Sequence, residues 1–228
     1  MTLASAIHLY GVQYLIQMNE ISLSFQQVDS RFAEGNYADG RVGQRIGDPA
    51  MVTVEDFSRL VAGIYAAAVT PAHWESALRG IHSTLGGTSG SLLMADGATR
   101  SIIGTTLPRE AGKSYIEYYH RLDYVSAALE RGPVGAVRTG SELMDVQNHR
   151  EFHADWLRPH DADNGLLVRL TGGPRPTCFV VAGLRGIESF DTPEHVKLMS
   201  GLVAHLQQAL RTQDKLAARE RRHQHEQS

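Results

Sequence analysis

Residues 151–172, EFHADWLRPHDADNGLLVRLTG, constrain the fold more than any other stretch. Phe152, Trp156 and Leu157 recur at helical spacing and share one face. Pro159 predicts the end of that helix, because the residue before a proline avoids the α region. The HDADNG that follows reads as a turn, since Asp, Asn and Gly tolerate the dihedrals of tight turns. Leu166 then opens an apolar strand that reaches Leu170. A short tryptophan-bearing helix is thus fastened to the edge of a sheet by a polar turn.

The rest of the chain supplies that sheet and its cover. Over 54–68, Phe57, Leu60, Val61, Ile64 and Tyr65 fall at helical spacing, with Thr53 placed as N-cap. Pro71 suits a first helical position, and Trp74, Leu78, Ile81, His82 and Leu85 form the next helical face, closed by Gly86-Gly87. Trp74 reads as helix-to-sheet packing. Strands follow over 89–95 and 100–105, joined at Asp96-Gly97, a hairpin signal. Helical patterns over 108–122 and 124–129, an edge strand over 134–138, a small helix near Glu142 and a helix over 148–157 lead to a second hairpin. Its strands begin at Leu166 and Thr177, with Gly172-Gly173-Pro174 between them. Thr192, Pro193 and Glu194 then supply an N-cap, a first helical residue and a negative charge for the helix start. Met199, Leu202, Val203, Leu206 and Leu210 form the last helix's stripe, which weakens toward Leu216. Two hairpins without an obligatory βαβ crossover give an α+β fold, a central antiparallel sheet of about five strands with helices packed on it and a long C-terminal helix.

Composition divides the chain and removes whole classes of function. Residues 29–50 are rich in Gly, Asp, Arg and Asn with few large apolar groups, and cannot bury enough surface to offset their ordering entropy. Residues 1–50 are therefore read as a partly disordered appendage, 51–216 as the folded domain and 217–228 as a polar, frayed tail. A net charge of −3 gives no nucleic-acid footprint. A single cysteine, Cys178, excludes an internal disulfide, so a reducing cytoplasm is the expected compartment. No apolar run approaches the ~20 residues of a membrane helix, and no Lys or Arg precedes Arg31 to make a signal peptide.

An ordered series of short motifs carries a family resemblance over residues 54–216. It runs Tyr118-Tyr119-His120-Arg121-Leu122-Asp123, Gly132-Pro133-Val134-Gly135, Thr139-Gly140-Ser141-Glu142-Leu143, Glu151-Phe152, Asp155-Trp156-Leu157-Arg158-Pro159, Thr192-Pro193-Glu194 and HLQQAL. The series resembles the N-terminal sensory region of LuxR-type bacterial transcriptional regulators, whose input domains are GAF- or PAS-like. The resemblance implies a small-molecule ligand, a homodimer and a DNA-binding domain that follows the sensor. These 228 residues hold no second amphipathic helix pair with a basic recognition helix, so direct DNA binding by them is not expected. In autoinducer-binding relatives a Trp, a Tyr and an Asp read an acyl-homoserine lactone. Tyr119 and Asp123 resemble that Tyr and Asp, whereas Tyr115 stands where the Trp is expected.

Each candidate has an ordinary alternative. Asp123 can accept a hydrogen bond from a ligand amide, or cap the helix starting at Tyr124. Tyr115 and Tyr119 can line a pocket, since pockets are apolar with a few placed polar groups, or pack in the core. Trp156 can touch a ligand or anchor its helix. His149 and His153 share a helical face, but without a third ligand two histidines rarely close a metal site, and no metal or cofactor is expected. No G-x-S-x-G elbow or P-loop is present, Gly86-Gly87-Thr88-Ser89-Gly90 precedes a strand rather than a helix, and Cys178 sits in an apolar strand. The expected function is ligand sensing without catalysis, with a ligand-free dimerisation module as the alternative.

Overall fold

The strands pair as antiparallel neighbours in one sheet. The computed structural model describes residues 52–97, 99–144, 150–183 and 190–226. The 1–50 segment, His149 and the start of the expected 148–157 helix lie outside them. In chain order come α1 Val54–Val69, α2 Trp74–Thr84, β1 Ser89–Asp96, β2 Thr99–Thr105, α3 Arg109–Glu117, α4 Tyr124–Arg131, β3 Val137–Thr139 and α5 Gly140–Leu143. A helical segment over 150–160, β4 Asn164–Arg169, β5 Thr177–Gly183 and α6 Pro193–Glu226 complete the described elements. The five strands stand in the order β2-β1-β5-β4-β3, so the two hairpins meet along β1 and β5. None of the described helices is long and apolar enough to cross a membrane.

Pairing register sorts the strand residues between two covered faces. Leu92 lies opposite Phe179, and Phe179 opposite Val168; all three are fully buried. This face meets α2, because a side chain on Gly104, the neighbour of Leu92, would strike Trp74. Trp74 is 1% exposed, and its indole N–H donates to Gln213 Oε1 at 2.6 Å. α6 joins the same layer, where the Gln207 amide donates to the Leu170 carbonyl. α1 packs on α2 through Gly63 and Gly80, and on α6 through Phe57 and Tyr65. The opposite face carries Ser91, Val180 and Leu167 in one row and Leu93 and Cys178 in the next. Buried on both faces, the central strands read as continuous apolar runs rather than alternating ones.

Element ends depart from the sequence pattern in three places. The edge strand begins at Val137 rather than Val134, which instead makes an isolated parallel bridge to Arg169. Pro159 does not stop its helix. The segment runs from α geometry at Arg150–Phe152 through a π turn at His153–Leu157 into a 3₁₀ turn at Arg158–His160, where proline's missing N–H falls in a fresh first turn. It ends at Asp161, whose φ of 50° is left-handed, as the turn residues foretold. α6 reaches Glu226 instead of fading at Leu216, because its Ala, Arg, Lys and Glu residues favour helix and extending a formed helix is cheap. Its start is as expected, with Thr192 Oγ1 accepting the His195 N–H at 3.2 Å.

Two histidines in the α1–α2–α6 layer make the fold acid-sensitive. Burial holds His82 and His205 below their ordinary value of 6.5. Both therefore bind protons less readily folded than unfolded. Their contribution to stability is intact above about pH 6.5 and falls as the pH drops below it. The melting temperature is expected to decline between about pH 7.5 and pH 5.5, and a His205→Phe variant to flatten that decline. Equal slopes for the two proteins would exclude His205 as a source of it.

Candidate ligand-binding site

α3, α4 and the 150–160 segment cover the second face of the sheet and bring the aromatic residues together. Tyr115, Phe152, Trp156 and Leu157 form one buried cluster, with Leu93 and Ile102 of the sheet against it. Phe152 and Trp156 stack with planes 5° apart and centroids 5.4 Å apart, and Tyr115 lies 5.1 Å from Trp156. The four-residue spacing that marked them as one helical face survives the π turn. The Trp156 N–H donates to the Ala111 carbonyl at 3.4 Å, tying the segment to α3.

Asp123 is the polar centre. Its Oδ2 accepts the Tyr115 hydroxyl at 2.6 Å, and its Oδ1 accepts the Ser126 N–H at 2.8 Å as the N-cap of α4. One carboxylate thus fixes the start of α4 and the aim of a buried phenol. Burial, then the Asp123 charge, holds the Tyr115 hydroxyl well above its ordinary value, so it stays protonated and donating. At the edge of the sheet Arg100 reaches Glu130 of α4 at 2.9 Å and the His120 carbonyl at 2.6 Å, which locks β2 to the cover. Cys178 is buried, and burial followed by the Glu130 charge pushes its thiol up to about 12, far from a reactive thiolate.

Cover and sheet enclose a cavity of about 60 Å³. Tyr115, Asp123 and Trp156 line it, together with Ser89, Ser91 and Ser126. Among its lining residues Asp123 alone carries a charge. Sites for drug-sized ligands run from about 300 to 1,000 Å³, so a molecule of that size has to widen this one. A cleft of about 350 Å³ adjoins it, lined by Arg121, Leu122, Tyr124, Arg150 and Glu151, and shares Asp123 and Phe152 with it.

Of the four residues singled out from sequence, three therefore meet at the cavity and one does not. Tyr119 is half-buried, leans on Phe152 at 6.4 Å and on Tyr118 at 5.1 Å, and lines neither space. Asp123 does cap α4, and it also faces the cavity. The three serines and Phe152 were not among the sequence candidates. The polar–apolar alternation of Ser89-Gly90-Ser91-Leu92 was the available signal for a strand that turns hydroxyls to one side.

No protein-family model matches this chain, and no curated protein does. Solved structures do. The VqsR ligand-binding domain of Pseudomonas aeruginosa superposes with a TM-score of 0.53 at 14% identity, over 70% of this chain and 96% of that one. CepR2 of Burkholderia cenocepacia, an N-acylhomoserine lactone dependent LuxR-family transcription factor, superposes with a TM-score of 0.51 at 11% identity, over 69% of this chain and 93% of that one. The chain has the fold of a LuxR-type ligand-binding domain. Identity this low transfers no residue's role; Tyr115, Asp123 and Trp156 line the cavity of this LuxR-type fold.

Proposed function

We propose that this domain senses a small molecule as the input region of a LuxR-type transcriptional regulator, acting through a DNA-binding partner or a further domain. The observation that carries it is the cavity. A carboxylate, a buried phenol and three serines face an otherwise apolar space beneath an aromatic cover, the usual make-up of a small-molecule site. The fold shared with VqsR and with the lactone-dependent CepR2 supports the same reading. Native mass spectrometry of the protein purified from a bacterial host is expected to show a small molecule that leaves on unfolding. The bare chain mass, with no thermal shift from a panel of acyl-homoserine lactones, would sink the proposal.

The proposal includes a homodimer through α6, with the contact moved along the helix. Met199, Leu202, Val203, Leu206 and Leu210 are all buried within the domain, so the stripe up to Leu210 covers its own sheet. Leu216, Ala217 and Ala218 are half-buried and stand past Gln213, where α6 still touches Trp74. Two-fold dimers are the commonest oligomers, and this apolar continuation is the place to form one. Sedimentation is expected to give a dimer for the wild type and a folded monomer for Leu216→Lys at micromolar concentration. Identical sedimentation of the two proteins would remove α6 as the interface.

A further inference from the structure

The inner cavity and the outer cleft have a common wall. Phe152 and Asp123 line both spaces, and Phe152 is only 2% exposed, packed against Trp156 and Tyr124. Phe152 is also the last residue of α geometry before the π turn at His153–Leu157. π turns inside helices are rare and recur at functional sites.

The charges on the two sides of this wall differ. Inside, the charge is the Asp123 carboxylate, and a second buried anion beside it would go unpaired at high cost. Outside, the cleft carries Arg121 and Arg150 with Asp123 and Glu151. The two carboxylates are engaged, Asp123 by Tyr115 and Ser126, and Glu151 by the Tyr118 hydroxyl at 2.7 Å. Arg121 and Arg150 are both exposed, and among the described residues neither has an ion-pair partner. Each of these guanidiniums can hold a carboxylate or phosphate through two N–H groups.

We infer that the two spaces are halves of one site gated by Phe152, which takes an amphipathic anion with its apolar chain inside and its acidic head between Arg121 and Arg150. The inference rests on the small-molecule sensing reading and adds the charge and orientation of the ligand. The outer cleft already has the volume of a small-molecule site, and displacing Phe152 joins the inner cavity to it. A neutral chain of equal length would gain the apolar burial and lose the head-group contacts.

Calorimetric titration with decanoate and with decanol tests the charge. The wild type is expected to bind decanoate about tenfold more tightly, the worth of one charged hydrogen bond. An Arg121→Gln, Arg150→Gln double variant, changed only at exposed positions, should lose that preference while binding decanol as before. Equal affinity for the two probes in the wild type, or a preference that survives the double variant, overturns the inference but leaves ligand sensing standing on the decanol data. Failure of both probes to bind overturns it too, and native mass spectrometry then decides the sensing reading by itself. Phe152→Leu keeps apolar bulk without the ring and should raise the association rate of decanoate. An unchanged rate in a folded variant removes Phe152 as the gate.

Discussion

Replacing Trp156 with alanine is expected to destabilise the domain by about 3–5 kcal/mol. The indole is 7% exposed and touches rings on three sides: Phe152 stacked at 5.4 Å, Tyr115 tilted at 5.1 Å and His160 edge-on at 5.3 Å. Its removal forfeits the transfer free energy of a large side chain and opens a hole next to an existing cavity. That hole closes poorly, because Tyr115 beside it is held by its hydrogen bond to Asp123. The Ala111 carbonyl keeps the Ser114 hydroxyl as a donor, so the lost 3.4 Å bond adds little. A domain of this size has about 5–15 kcal/mol in total, so urea unfolding should show a large loss of midpoint or a molten cover over an intact sheet. Trp156→Phe, which keeps a ring in the stack, should cost clearly less. An alanine variant within about 1 kcal/mol of wild type would mean that the 150–160 segment is held elsewhere.

The sheet was legible because its signals are local. Asp96-Gly97 needs a residue with positive φ, and Gly97 stands at 61°. Asp161 and Thr192 likewise announce themselves by the hydrogen-bonding capacity of short polar side chains. The π turn was not legible, since nothing in HADWL distinguishes a widened turn from an α one, and Pro159 argued for a stop that the widening made unnecessary. The faces of β4 and β5 were also hidden: Leu166, Leu167, Val168 and most of 177–183 are buried whichever way they point, so alternation says little about which residues meet the cavity. Tyr119 shows the limit at the site. Four residues beyond Tyr115 suggests a shared helical face, but α3 ends at Glu117 and a tighter turn at Tyr119–Arg121 rotates the ring out of the cavity. Gly165 was equally silent. Only the β4–β5 register shows that a side chain there would press on the Val181 carbonyl.

Asp123→Ala is expected to cost about 3 kcal/mol, and the way that cost divides tests the centre of the site. Loss of the cap to Ser126 accounts for about 1 kcal/mol, the usual price of an N-cap. The rest comes from Tyr115, whose hydroxyl is left buried without its acceptor at about 1–3 kcal/mol. Tyr115→Phe removes the orphaned group, so Asp123→Ala made in that background should cost only the cap. The two changes are therefore expected to be non-additive by more than about 1 kcal/mol in a double-mutant cycle followed by urea unfolding. Asp123→Asn separates the roles again, because asparagine caps a helix nearly as well as aspartate but brings a neutral amide to the cavity. It should fold close to wild type while changing which ligands bind. Additivity within about 0.5 kcal/mol would show that Tyr115 finds another acceptor when Asp123 is gone, and the carboxylate would then be a helix cap that happens to face a cavity.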